Sequence, residues 1–81
     1  MTKEQILNRL HENFIDSEIE VQDMTGQSNH FSLLIISKSF ESISLINRHK
    51  QIHSLFKEEL TNEIHAFQIQ AFTPEEWSNK K

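Results

Sequence analysis

The sequence predicts an α+β fold, a mixed three-stranded sheet with helices on one face, and three observations lead there. Apolar residues recur at three- and four-residue spacing in two stretches, Ile6 to Phe14 and Leu45 to Leu60, as the buried stripe of a helix requires. They alternate with polar residues around Ile19 to Val21 and Phe67 to Ala71, the period of half-exposed strands. The order helix, strand, strand, helical pair, strand then puts a helical crossover between the second and third strands. Such crossovers are right-handed and join parallel neighbours.

Thr2 followed by Gln5 reads as a capping box, and Ile6, Leu7, Leu10 and Phe14 mark a first amphipathic helix ending between Asn13 and Asp16. Ile19, Val21 and Met24 alternate with Glu20, Gln22 and Asp23, giving a first strand with one wet face. Thr25-Gly26-Gln27-Ser28-Asn29 holds the only glycine and reads as a turn. His30 to Ser37 is aliphatic and β-branched, a more buried second strand that pairs antiparallel with the first. After a turn-like Ser39-Phe40-Glu41-Ser42, the run Leu45 to Leu60 is long enough to split into two short helices. Ala66 to Phe72 forms the third strand. Thr73 as cap, Pro74 at the first helical position and Glu76 three residues after the cap open a last helical turn that ends near Trp77, with residues 78–81 a frayed tail. The phenylalanines Phe31, Phe40, Phe56, Phe67 and Phe72 read as core or boundary residues, with Trp77 packed over the last turn.

At 81 residues the chain is expected to be one domain, too small for an elaborate cleft. Twelve acidic against eight basic side chains give a net charge of −4, which argues against a global attraction to nucleic acid or anionic lipid. With no cysteine, the chain has no disulfide, and a soft-metal site would have to borrow thiolates from another molecule. Met1 to Ile6 lacks an apolar signal core, and Leu33-Leu34-Ile35-Ile36 is too short to span a bilayer. A cytoplasmic protein without membrane association is the expectation.

Five histidines raise the question of metal. His49 and His53 lie four apart on a predicted helix, but Lys50 stands where a zinc hydrolase motif needs a glutamate base. They read first as surface residues, as does His11. Arg48, His49, Lys50, His53 and Lys57, with Lys38 from the preceding loop, form a modest basic patch; Glu58, Glu59 and Glu63 balance it if it is only a solvated face. The serines sit in no nucleophile elbow, and no glycine-rich phosphate cradle is present. His30 and His65 differ from the rest. Each opens a strand, where backbone fixes the direction of an imidazole, and parallel neighbouring strands would set both on one edge of the sheet. Two separate capping histidines are the plainer alternative.

Four segments together carry a resemblance: His30-Phe31 opening the strand that ends at Ser37; Phe40-Glu41-Ser42-Ile43-Ser44-Leu45-Ile46-Asn47-Arg48-His49-Lys50; Ile64-His65-Ala66-Phe67; and Thr73-Pro74-Glu75-Glu76-Trp77. In this order and spacing they resemble the BolA family from about Ile6 to Trp77, most of all its short bacterial members. The resemblance implies a helix-strand-strand-helix-helix-strand fold like the class II KH domain, in a single domain over residues 1–81.

It also implies two functions, neither of them enzymatic. One is a complex with a monothiol glutaredoxin in which a 2Fe-2S cluster is shared between glutaredoxin cysteine, glutathione and a histidine of the BolA-like protein. The isolated chain would then be a monomer carrying no cofactor, and a heterodimer with its partner. The other is transcriptional regulation in stress responses, with DNA as the partner and Lys38, Arg48, His49, Lys50 and Lys57 as its contacts. Carried over by position, the histidine of the His-Ala-Phe motif is His65, the expected cluster ligand. The family's second ligand is a Cys or His within the loop between the first two strands; here the nearest is His30, at the loop's end. The family's glycine and lysine after the phenylalanine are Ser42 and Ile43 here, and Lys50 stands for a common arginine. These changes remove one basic charge and one planar phosphate-binding fork, and so weaken the DNA reading.

Overall fold

The computed structural model describes residues 1–62, 64 and 66–80. Its elements run α1 (Lys3–Asn13), β1 (Glu18–Asp23), β2 (His30–Ile36), a 3-10 turn (Lys38–Phe40), α2 (Leu45–Leu55), α3 (Lys57–Asn62), β3 (Ala66–Phe72) and α4 (Pro74–Lys80).

Local chemistry sets most boundaries. Thr2 and Gln5 form the reciprocal capping box of α1: the Gln5 amide donates to Thr2 Oγ1 and the Thr2 amide to Gln5 Oε1. Ser44 caps α2 by accepting from the Asn47 amide. The helical pair divides at Phe56, whose backbone leaves the helical region at φ −123 and ψ 25 while its ring is fully buried. Burying the ring outweighs continuing the helix. In the β1–β2 loop the Asp23 carboxylate accepts from the amides of Thr25, Gly26 and Ser28, and Gly26 takes a φ of 76 that suits glycine.

The sheet order is β1-β2-β3, with β1 antiparallel to β2 and β3 parallel to it. In register, Val21, Leu33 and Ile69 share one row, and Ile19, Ile35 and Ala71 the next. This face carries Phe31, Leu33 and Ile35, all fully buried, against Ile6, Leu10 and Phe14 of the α1 region and Ile52 and Phe56 of the helical pair. Each such side chain is worth about 1.5–3 kcal/mol of burial, so this layer dominates the stability. The opposite face bears Glu20, Leu34 and Gln70 in one row and Glu18, Ile36 and Phe72 in another.

The C-terminal helix departs from expectation in two ways. It runs to Lys80 instead of closing near Trp77, so residues 78–80 are helical; Lys81 lies outside the described residues. Its Trp77 also meets Phe72, with ring centroids 5.5 Å apart, and Phe72 alternates onto the face opposite the core. Helices on one face therefore describes α1 and α2, while α4 meets the opposite face at Phe72. Two smaller differences stand at strand ends: β2 stops at Ile36, one residue short of Ser37, and Met24 lies beyond β1 with half its surface exposed.

Candidate functional site

The parallel register of β2 and β3 sets His30 opposite Ala66, at the N-terminal ends of both strands. His30 is half-buried, and its carbonyl accepts from the Met24 amide, so the backbone holding the imidazole is tied into the hairpin. His65 precedes Ala66 in the sequence and lies outside the described residues, as does Glu63. Ile64, between those two, is buried in the core. Among the described residues, no group of three or more His, Cys, Asp or Glu side chains could hold a metal ion. The chain has no thiolate, so its nitrogen and sulfur donors are histidine imidazoles and the thioethers of Met1 and Met24.

The opposite ends of the same strands are closed by internal bonds. Arg48, only 5% exposed, donates from Nε to the Ile43 carbonyl at 2.8 Å and from Nη1 to the Ala71 carbonyl at 3.0 Å. Nη1 and Nη2 also grip the Glu76 carboxylate at 2.7 and 3.2 Å, a bidentate pair. The Glu76 carboxylate accepts from the Thr73 amide as well, and Thr73 Oγ1 accepts from the Glu76 amide, so the cap of α4 and the ion pair share one carboxylate. The guanidinium, then the Thr73 amide, hold the Glu76 carboxyl down to about 2. The Ser37 amide donates to the Phe72 carbonyl and extends the parallel ladder to this end.

Arg48 is thus withdrawn from the basic patch in which the sequence placed it. Its spacing from Ile52 puts it on the core side of α2, where carbonyls and a carboxylate satisfy its donors. Lys38, Lys50, His53 and Lys57 are exposed and His49 is half-buried. Ile46, His49, Lys50, His53, Ser54 and Lys57 line a shallow depression of about 440 Å³. His53 also approaches the Phe67 ring, with centroids 6.4 Å apart.

Glu76 and Thr73 were legible as a helix cap, but not the bond from Arg48 to Glu76, which spans 28 residues. A second, more exposed arginine also bridges elements. Arg9 bonds the Leu55 carbonyl and Glu59 and lies over the Phe56 ring, pinning α1 to the joint between α2 and α3. Its hydrogen bond holds the Glu59 carboxyl below the usual range. The turn that bears Ser42 keeps a glycine-like backbone, φ 63, although serine occupies it.

Residues 4–76 match the BolA-like protein family. The chain belongs to that family. The DNA-binding transcriptional regulator BolA of Escherichia coli (strain K12) is 31% identical over 84 aligned positions, covering 95% of this chain and 80% of the relative. The regulator of the same name from Haemophilus influenzae is 44% identical over 52 residues, which are 64% of this chain and 50% of that protein, so the match spans half of the relative's length. Among solved structures, the BolA domain of SufE1 from Arabidopsis thaliana superposes with a TM-score of 0.84 at 35% identity, covering 91% of this chain and 93% of that one. The BolA-like mixed sheet with its flanking helices is therefore the fold of this chain. No helix among the described residues is long and apolar enough to cross a membrane.

Proposed function

We propose that this BolA-like chain is a non-enzymatic adaptor that binds a monothiol glutaredoxin and lends His65 to a 2Fe-2S cluster, whose thiolates come from the glutaredoxin and glutathione. The cluster is cargo or signal, in iron-sulfur trafficking or iron sensing in the cytoplasm. The observation that carries this reading is the parallel register that sets His30 opposite Ala66, because it brings the position next to His65 to the strand end that bears a half-buried histidine, opposite the end held by Arg48. The cysteine-free composition supports it too: a chain with imidazoles and no thiolates suits a shared site. A neutral imidazole on one iron raises the cluster potential and dissociates more readily than thiolate, which suits a cluster that is passed on or sensed. His30 is the candidate for a second nitrogen ligand.

The test is to titrate the protein into cluster-loaded monothiol glutaredoxin while following visible absorption and circular dichroism. A new spectrum saturating at one protein per glutaredoxin is expected; a spectrum unchanged by excess protein contradicts the proposal.

A second reading has its own observation, the exposed Lys38, Lys50 and Lys57 with His49, and the printed name of the Escherichia coli relative as a DNA-binding regulator. DNA binding through this face needs the lysines alone, because Arg48 is spent inside the fold. Replacing Lys50 and Lys57 by Ala should then lower DNA affinity and flatten its dependence on salt. Equal salt slopes for this variant and the parent chain would remove the reading.

A further inference from the structure

Asp23, Glu59 and Glu76 each accept hydrogen bonds inside the fold, whereas the carboxylates of Asp16 and Glu18 are exposed and bond no other group among the described residues. Both border a notch of about 370 Å³ where the turn after α1, the β1–β2 pair and α4 meet. Ile36, Pro74 and the Trp77 indole form its apolar side. Glu18 faces Ile36 in register, on the side of the sheet opposite the core. Among the described residues, no basic side chain lines the notch. The neighbouring aromatic surface already holds a cation: Lys80 Nζ lies 4.8 Å from the centre of the Phe72 ring and 5.9 Å from that of Trp77.

We propose that this notch is a docking site for an arginine side chain of a protein partner, with the guanidinium at Asp16 and Glu18 and its aliphatic stem against Ile36, Pro74 and Trp77. Charge and shape select this occupant. Two carboxylates without a counter-ion favour a cation, and the indole, proline and isoleucine surfaces favour one that is planar and weakly hydrated. A guanidinium forks onto a carboxylate while it stacks on an indole; an ammonium has no fork and keeps its water more tightly. Ile15, immediately before Asp16, is 77% exposed and adds apolar surface that a peptide segment can cover and a small free cation cannot. The notch lies at the C-terminal end of β2 and His30 at its N-terminal end, so this site does not depend on the cluster reading. The chain can hold a partner at each end of the same strand.

Trp77 is the only tryptophan and there is no tyrosine, so indole emission reads one wall of the notch. N-acetyl-arginine amide, titrated into the full chain at constant ionic strength, should change that emission saturably at millimolar concentration and move the amide resonances of Asp16 and Glu18. Its citrulline counterpart, similar in shape and uncharged, should do neither. Asp16→Asn with Glu18→Gln should raise the half-saturating concentration about tenfold, the loss of one charge-assisted hydrogen bond. Asparagine suits the left-handed backbone of Asp16, φ 60, so the variant keeps the turn. Lys80→Ala should leave binding as tight or tighter. Free arginine, whose own carboxylate meets the acidic rim, should bind more weakly than the amide. No saturable response in either signal, an equal response to the citrulline compound, or a double variant that binds as the parent does would overturn the proposal. N-acetyl-lysine amide binding as tightly as the arginine amide would overturn the choice of guanidinium, and free arginine binding as tightly would overturn the choice of a peptide side chain.

Discussion

The two ends of the β2–β3 pair put the same parallel geometry to different use. At the C-terminal ends, Glu76 takes up donors of both Arg48 and Thr73, the Ser37 amide is spent on the Phe72 carbonyl, and a buried guanidinium ties α2 to the start of α4. At the N-terminal ends, His30 stands opposite Ala66 and is half-buried. A charged side chain that has spent its donors inside the fold stabilises and cannot recognise. An imidazole on a fixed backbone with surface exposed can still bind. The contrast also reorders the basic residues, since the one arginine in the central helix belongs to the closed end.

The largest expected difference between the ends is in stability. Arg48→Ala strands the Ala71 and Ile43 carbonyls and the Glu76 carboxylate, and should cost about 3 kcal/mol in urea unfolding; the figure stands at the low end for broken buried pairs because Glu76 is partly in water. His30→Ala should change stability by only about 0.5 kcal/mol, as expected for a residue outside the core. Equal losses would erase the distinction between the two ends.

Acid should separate them next. The Glu76 carboxyl is held at about 2 against an ordinary 4.5, so the folded state binds the proton less readily than the unfolded one. Its contribution is present above the ordinary value and is lost as pH falls through about 2. The parent chain should lose stability across that window, and Glu76→Gln should show a shallower loss. Superimposable pH profiles would mean that the pair contributes nothing.

The smallest effect concerns the turn that leads into the closed end. Ser42 holds a φ of 63, a left-handed conformation that costs a side chain more than it costs glycine. Ser42→Gly should therefore gain about 0.5 kcal/mol by differential scanning calorimetry, after allowance for the freer unfolded glycine. A loss would show that the hydroxyl is needed in this turn.

Most of this architecture was legible in the sequence because it rests on local chemistry. Thr2 with Gln5, the alternation through Ala66 to Phe72, and the Thr73-to-Glu76 cap each act within a few residues. The parallel pairing followed from the helical crossover. What could not be read was long-range polar satisfaction: Arg48 looks like its neighbours Lys50 and Lys57 until the Ala71 carbonyl and Glu76 arrive beside it. The full length of α4 was missed for a related reason. Its last turn carries Lys80, whose ammonium lies over the Phe72 and Trp77 rings, contacts made only once α4 has packed beside Phe72. The placement of His30 was legible, and that of His65 lies outside the described residues, so the pairing of the two histidines stands as part of the proposal.

The central claim, that His65 is the nitrogen ligand this chain gives to a shared cluster, is tested most directly by visible circular dichroism of cluster-loaded monothiol glutaredoxin mixed with the parent chain, His65→Ala and His30→Ala. The parent should impose a new spectrum, and His65→Ala should leave that of the glutaredoxin alone while keeping its own far-ultraviolet spectrum; His30→Ala should alter the new spectrum only if it supplies the second ligand. A His65→Ala variant that still gives the parent's spectrum would contradict the assignment.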